Sequence, residues 1–206
     1  MKTISSEYFL VLYDRNERDP VASPDDDTAA KPFESELLPP FGKPLVFHNG
    51  LYDYQKTAGI SPIDPPPDVL FCGSDLLVKS SIRDALLPLK IPELAIQPAI
   101  FIDHKGDWHE DYWYLTFLSM LDCWDRATST YFADTAQMDG IPAHTVYRYA
   151  LDEKALGELP LKSRLLFKMG GTSEGHIVAH SSLADLFRKP AAAVVPIADY
   201  GVSWPK

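Results

Sequence analysis

The sequence predicts an α+β fold in which short antiparallel strands dominate and helices are few and short. Three observations predict it. Apolar runs are brief and are cut by Pro, Gly, Asp and Asn clusters, as strands joined by hairpins are. One strand–helix–strand pattern occurs twice, about a hundred residues apart. Between the two copies lie extended, aromatic-rich runs rather than long segments of helical periodicity.

The elements follow in order. Tyr8-Phe9-Leu10-Val11-Leu12-Tyr13 reads as a strand. It is too short for the apolar core of a signal peptide and runs at once into Asp14-Arg15-Asn16-Glu17-Arg18-Asp19. Asp19 to Asp27 reads as a polar loop with little to bury, and Pro39 to Pro44 as a second break. Pro62-Ile63-Asp64-Pro65-Pro66-Pro67 must be extended, because each ring fixes φ and removes a donor. Asp68–Phe71 and Asp75–Val78 are short apolar runs, the second a strand that enters the next helix. Ser80–Leu87 is a helix with a serine expected at its N-cap and Pro88 at its end. Leu94–Ile102 is extended, with Pro98 marking an edge or a bulge.

Asp111–Leu118 fits either a strand buried on both faces or the start of a helix, and periodicity leaves both open. Thr145–Leu151 alternates as a strand does. Asp152–Leu156 is a short helix with an acidic first turn. Arg164–Met169, Gly170–Gly175 and His176–Val178 form a strand, a turn and a strand. Then Ser181-Ser182-Leu183-Ala184-Asp185 repeats Ser80-Ser81-Ile82-Arg83-Asp84, and Pro196 falls near the place of Pro98. The expected domain organisation is a loop-rich, proline-rich segment over 1–67, packed on an α+β domain over 68–206 as one compact unit.

Composition narrows the function. Apolar residues make up 46% and charged residues 23%, which is globular rather than disordered composition. The net charge of −10 argues against nucleic acid as a partner and favours a basic protein. Residues 1–70 carry −6, residues 71–140 carry −6 and residues 141–206 carry +2. No apolar run reaches the ~20 residues of a membrane helix. With no signal peptide in view, the expected compartment is the cytoplasm. Cys72 and Cys123 are expected to be buried and reduced.

Catalytic patterns are wanting. Gly170–Gly175 lacks the lysine of a phosphate loop and opens no helix, and no Gly-x-Ser-x-Gly elbow occurs. Neither cysteine has the context of a nucleophile. The expectation is no enzyme, no cofactor and no metal. The one chemically dense stretch is Asp103-His104-Lys105-Gly106-Asp107-Trp108-His109-Glu110-Asp111. His104 and His109 could bind a metal with these acids, and a metal-dependent enzyme is the alternative reading. Their five-residue spacing around a glycine suits neither face of a helix nor one face of a strand. A solvated hairpin tip or a partner contact explains the composition without a metal. Aromatics are dense from Trp108 to Phe132, and most are expected in the core. Trp108 and Tyr112 with the neighbouring acids are the candidate interface. Asp25-Asp26-Asp27 is a second acidic candidate.

The order of these segments resembles a bacterial family. The resemblance rests on Leu76–Leu86, a following strand with an aspartate, and Tyr112-Trp113-Tyr114-Leu115. It continues through Leu121-Asp122-Cys123-Trp124-Asp125, Leu165–Lys168 and Ile177–Leu183. The family, first known as a domain of unknown function, is grouped with the immunity proteins of polymorphic toxin systems. The likeness covers roughly residues 68–200. It implies an intracellular antidote that binds a cognate toxin and blocks it. It carries no catalytic residues, and Asp122 and Asp125 fall in its most recognisable part. The candidate partner-binding residues are therefore Asp103, Asp107, Trp108, Glu110, Asp111, Tyr112, Asp122 and Asp125. The expected partner is a basic toxin, with a nuclease as the obvious case. A general protein-binding adaptor is the remaining alternative.

Overall fold

The computed structural model describes residues 4–30, 44–132, 136–138 and 141–202. The break at Pro39–Pro44 lies almost wholly outside them. Val69–Cys72, Asp75–Lys79 and Leu94–Ile102 are strands, and the fold is α+β with mostly antiparallel strands and short helices, as expected. The chain divides into two compact units. A terminal unit comprises Met1–Leu12, Ser119–Phe187 and Ala193–Lys206; a middle unit comprises Tyr13–Leu118 and Arg188–Ala192. This division does not follow the expected boundary at residue 67. Strands from before that point pair with strands from after it, and strand pairing rather than composition defines the units.

In chain order, β1 (Tyr8–Tyr13) opens the terminal unit. The middle unit follows with β2 (Ala22–Pro24), α1 (Asp26–Ala29), β3 (Leu45–Asn49) and α2 (Tyr52–Thr57). It continues with β4 (Val69–Cys72), β5 (Asp75–Lys79), α3 (Ser80–Leu86), β6 (Leu94–Ile102) and β7 (Trp108–Phe117). The terminal unit resumes with β8 (Met120–Leu121), β9 (Thr130–Tyr131), β10 (Ala136–Met138), β11 (Ile141–Ala143) and β12 (Val146–Arg148). It ends with α4 (Glu153–Glu158), β13 (Leu166–Met169), β14 (Ile177–His180), α5 (Ser181–Ala184) and β15 (Ala192–Pro196).

The middle unit is a six-stranded sheet in the order β2-β3-β6-β7-β5-β4. Val21, just before β2, bridges Phe71 of β4 in parallel, so the first and last strands meet and the sheet closes on itself. Every strand supplies the buried interior: Ala22, Leu45 and Phe47, Leu70 and Cys72, Leu77, Ala99 and Phe101, Tyr112 and Tyr114. Phe47 and Tyr114 stack there at 5.5 Å. The opposite face of β4, β5 and β7 is also apolar and buried at Val69, Leu76, Val78 and Leu115. The short helix α3 lies on β5 and β7 and buries Ile82 and Leu86, one turn apart. Burial on both faces accounts for the unbroken apolar runs of β4, β5 and β7.

The polar loop expected over 19–27 is corrected. Its backbone pairs with β3, Ala22 and Thr28 are buried, and Thr28 Oγ1 accepts from Val46 N at 2.8 Å. Asp25 caps α1 by accepting from Thr28 N at 2.7 Å, and Asp26 and Asp27 lie in the first turn of that helix. The serine cap expected for the Ser80–Leu87 helix is corrected as well. Lys79 and His180 hold the N-cap positions, and His180 Nδ1 accepts from Ser182 N at 3.2 Å. Pro98 sits in β6 before β3 has begun to pair, so it costs no ladder bond on that side.

The terminal unit is built on a five-stranded sheet in the order β15-β1-β14-β13-β8. Gly170–Gly175 is the connection of the β13–β14 hairpin, with Gly171 at φ +69°. One sheet face presents Tyr8, Leu10, Leu12, Phe167, Met169 and Val178 to Trp124, Val146, Tyr149, Leu151 and Leu156. Asp152 caps α4 by accepting from Lys154 N and Ala155 N. Cys72 and Cys123 are both buried and form no disulfide, and burial pushes the Cys123 thiol up to about 12. Among the described residues no helix is long and apolar enough to cross a membrane.

Candidate partner-binding surface

The dense acidic stretch is the tip of the β6–β7 hairpin in the middle unit. Asp103 organises it from inside. One carboxylate oxygen accepts from Lys105 N at 2.8 Å and Asp107 N at 3.1 Å, and the other meets His109 Nε2 at 3.0 Å. Gly106 completes the turn at φ +86°, a conformation that suits glycine. Burial pushes the Asp103 carboxyl up, but these three hydrogen bonds outweigh it and hold the group below its ordinary value. At 8% exposure Asp103 is a brace for the hairpin. It is one of two candidate interface residues that lie buried.

The strand beyond the tip is irregular in a way that decides what faces solvent. Ala99 lies opposite Tyr112 and Phe101 opposite His109, so two steps along β6 match three along β7. The extra residue is a bulge at Glu110 and Asp111. It returns His109 to the inner face of the sheet, where its ring lies 6.3 Å from Phe101 and 6.5 Å from Tyr112. It leaves Glu110 and Asp111 both exposed.

Tyr112, also expected at the interface, is 0% exposed, and its hydroxyl donates to Pro67 O at 2.6 Å. Its ring fills the closed sheet, the second of the candidate interface residues to lie in the interior. Trp108 is the opposite case. It is 61% exposed although indole is among the most readily buried side chains. Asp107, Trp108, Glu110 and Asp111 thus form one exposed group on a braced hairpin.

Basic groups nearby are already engaged. Lys105 is paired with Asp64, and Lys79 lies 3.8 Å from Asp111. Arg83 stacks over Trp113 at 4.0 Å. Ser80, the displaced cap, donates to Asp111 O at 3.2 Å and accepts from Trp113 Nε1 at 3.0 Å, tying α3 to β7. Sequence reading missed this tie because it spans 31 residues and carries no local pattern.

Asp122 and Asp125 belong to the terminal unit. Asp122 forms a two-pronged pair with Arg126 at 2.5 and 2.6 Å, and Arg126 lies over the buried Trp124 ring at 4.1 Å. Asp125 accepts from Ala127 N and Thr128 Oγ1, which hold its carboxyl below the ordinary range. Both residues shape a turn around Trp124. Exposed aromatics that the sequence did not single out as a pair, Phe132 and Tyr147, lie on the β9–β12 ribbon.

The two histidines of the tip do not share a site. His109 meets Asp103, while the His104 ring lies 6.2 Å from Tyr52. Among the described residues no three His, Cys, Asp or Glu side chains gather as a metal ion requires. No family model and no curated protein matches the chain.

Proposed function

We propose that the protein is an immunity protein: an antidote that binds a basic toxin in the cytoplasm and covers the surface on which the toxin acts. The observation that carries this reading is Trp108, held 61% exposed on a braced hairpin between the unburied carboxylates of Asp107, Glu110 and Asp111. A large ring set among like charges is the composition of a binding hot spot for a cationic surface, since the ring supplies contact area and stacks on guanidinium groups. The carboxylates steer the encounter. The resemblance of residues 68–200 to the immunity family supports the same reading.

The middle unit, which holds this tip, has 18 acidic and 11 basic residues and so carries −7 of the net −10. A toxin that holds phosphate would present the complementary charge, which makes a nuclease the leading case. The test is co-expression with toxic domains encoded beside this chain. Rescue of growth by the wild type, weakened by Trp108→Ala combined with Asp107, Glu110 and Asp111→Lys, is the expected result. Full rescue by the quadruple variant would place the interface elsewhere, and no rescue by the wild type would end the antidote reading.

A further inference from the structure

The two units share a connection pattern. In the middle unit β5 leads through α3 to β6, and β7 lies between the two strands, with β4 outside β5. In the terminal unit β14 leads through α5 to β15, and β1 lies between them, with β13 outside β14. Each central strand runs antiparallel to the strand that enters the helix. The helices agree in sequence at Ser80-Ser81 with Ser181-Ser182 and at Asp84 with Asp185. They also agree in burial: Ile82 and Leu86 match Leu183 and Phe187, four residues apart in each.

The copies differ in where the central strand comes from. In the middle unit β7 follows β6 directly across the tip at 103–107. In the terminal unit no strand follows β15 among the described residues, and the central strand comes from the start of the chain. After Leu12 the next residue of that unit is Ser119. The turn Ile4–Glu7 that enters β1 lies against the turn Ile197–Asp199 that leaves β15, where the other copy has its hairpin. The borrowed strand is deeply held. Tyr8, Leu10 and Leu12 are buried on one face and Val11 on the other, and Arg164 Nη1 donates to Tyr8 Oη at 2.7 Å.

We infer that the terminal unit is a permuted copy of the middle unit's fold, and that its gap between β14 and β15 is a binding site for an extended apolar strand, filled by residues 8–12. The ligand class is a peptide that alternates large apolar side chains on one face and pairs its main chain with β14, as Tyr8 to Val11 do with His180 to Ile177.

The test uses the full chain with a protease cleavage sequence placed in the exposed turn at Asn16 and cut after folding. The amino-terminal fragment should stay bound through gel filtration. A fluorescein-labelled peptide of residues 1–15 should then replace it, and the same peptide with Leu10→Lys should bind at least about tenfold more weakly. The inference is overturned if the fragment leaves while the rest keeps its near-ultraviolet dichroism. It is equally overturned if the labelled peptide never enters, if Leu10→Lys enters as well as the wild type, or if the cut chain unfolds and excess peptide does not restore it.

Discussion

His176 and Asp103 both tie stability to pH, and they act in separate windows. His176 lies among Tyr149 and Tyr200, with Nε2 3.2 Å from the Tyr200 hydroxyl, and burial pulls its pKa down from 6.5 to about 4. A depressed histidine binds its proton more readily in the unfolded chain, so stability falls as pH drops from 6.5 toward 4. The loss is at most about 3 kcal/mol. Urea unfolding across that range should show it, and His176→Phe should flatten the profile. Asp103 acts lower. Its carboxyl is held below the ordinary 3.8, so its contribution is intact above that value and is lost as pH falls through the folded value. At neutral pH, Asp103→Ala should cost about 1–3 kcal/mol, because two backbone N–H groups and His109 lose their acceptor. Asp103→Asn should cost less, since it keeps an acceptor for the backbone. Acid-range urea midpoints for both variants check this.

At the level of single elements, the β7 bulge makes an unusual prediction. Removing one residue from a strand normally turns every later side chain to the wrong face. Deleting Glu110 should instead convert two-against-three pairing into a regular ladder and leave Phe101 opposite His109 and Ala99 opposite Tyr112. The urea midpoint should move by less than about 1 kcal/mol equivalent, whereas deleting Leu115 from the regular ladder should abolish folding. The same bulge shows what sequence could reveal. The strands β1, β4, β5 and β6, the helix α3 and the β13–β14 hairpin were all legible, because each is specified by residues within about ten positions. The choice between strand and helix at 111–118 was not, and neither was the sorting of the tip residues. Asp103 and Asp107 are the same residue type four apart, yet one is buried and one exposed, because His109 and the turn backbone claim only the first. Tyr112 went inward because a pairing partner 13 residues away sets its face. The short strand β2 escaped notice since only its pairing with β3 makes it a strand.

For the molecule as a whole, charge and architecture divide along the same line. The unit that bears the exposed tip holds most of the negative charge, while the terminal unit has 11 acidic and 8 basic residues. Association with a cationic partner should therefore be fast at low salt and slow as ionic strength rises past about 0.15 M. Reversing Asp107, Glu110 and Asp111 to Lys should reduce the on-rate and its salt dependence, while Trp108→Ala should mainly raise the off-rate, by a factor of ten or more (about 1.4 kcal/mol). Stopped-flow and surface-capture kinetics separate the two effects. Melting temperatures of both variants should stay near the wild type, since none of these four side chains is buried.

The bridge between Val21 and Phe71 constrains how the middle unit can meet another molecule. Where the sheet returns to its first strand, the main chain at the β2–β4 seam is already engaged. Strand addition at that seam is blocked, so recognition there runs through side chains at the ends of the strands. Specificity on that unit is then free to change by substitution at a turn, with the ladder beneath left untouched.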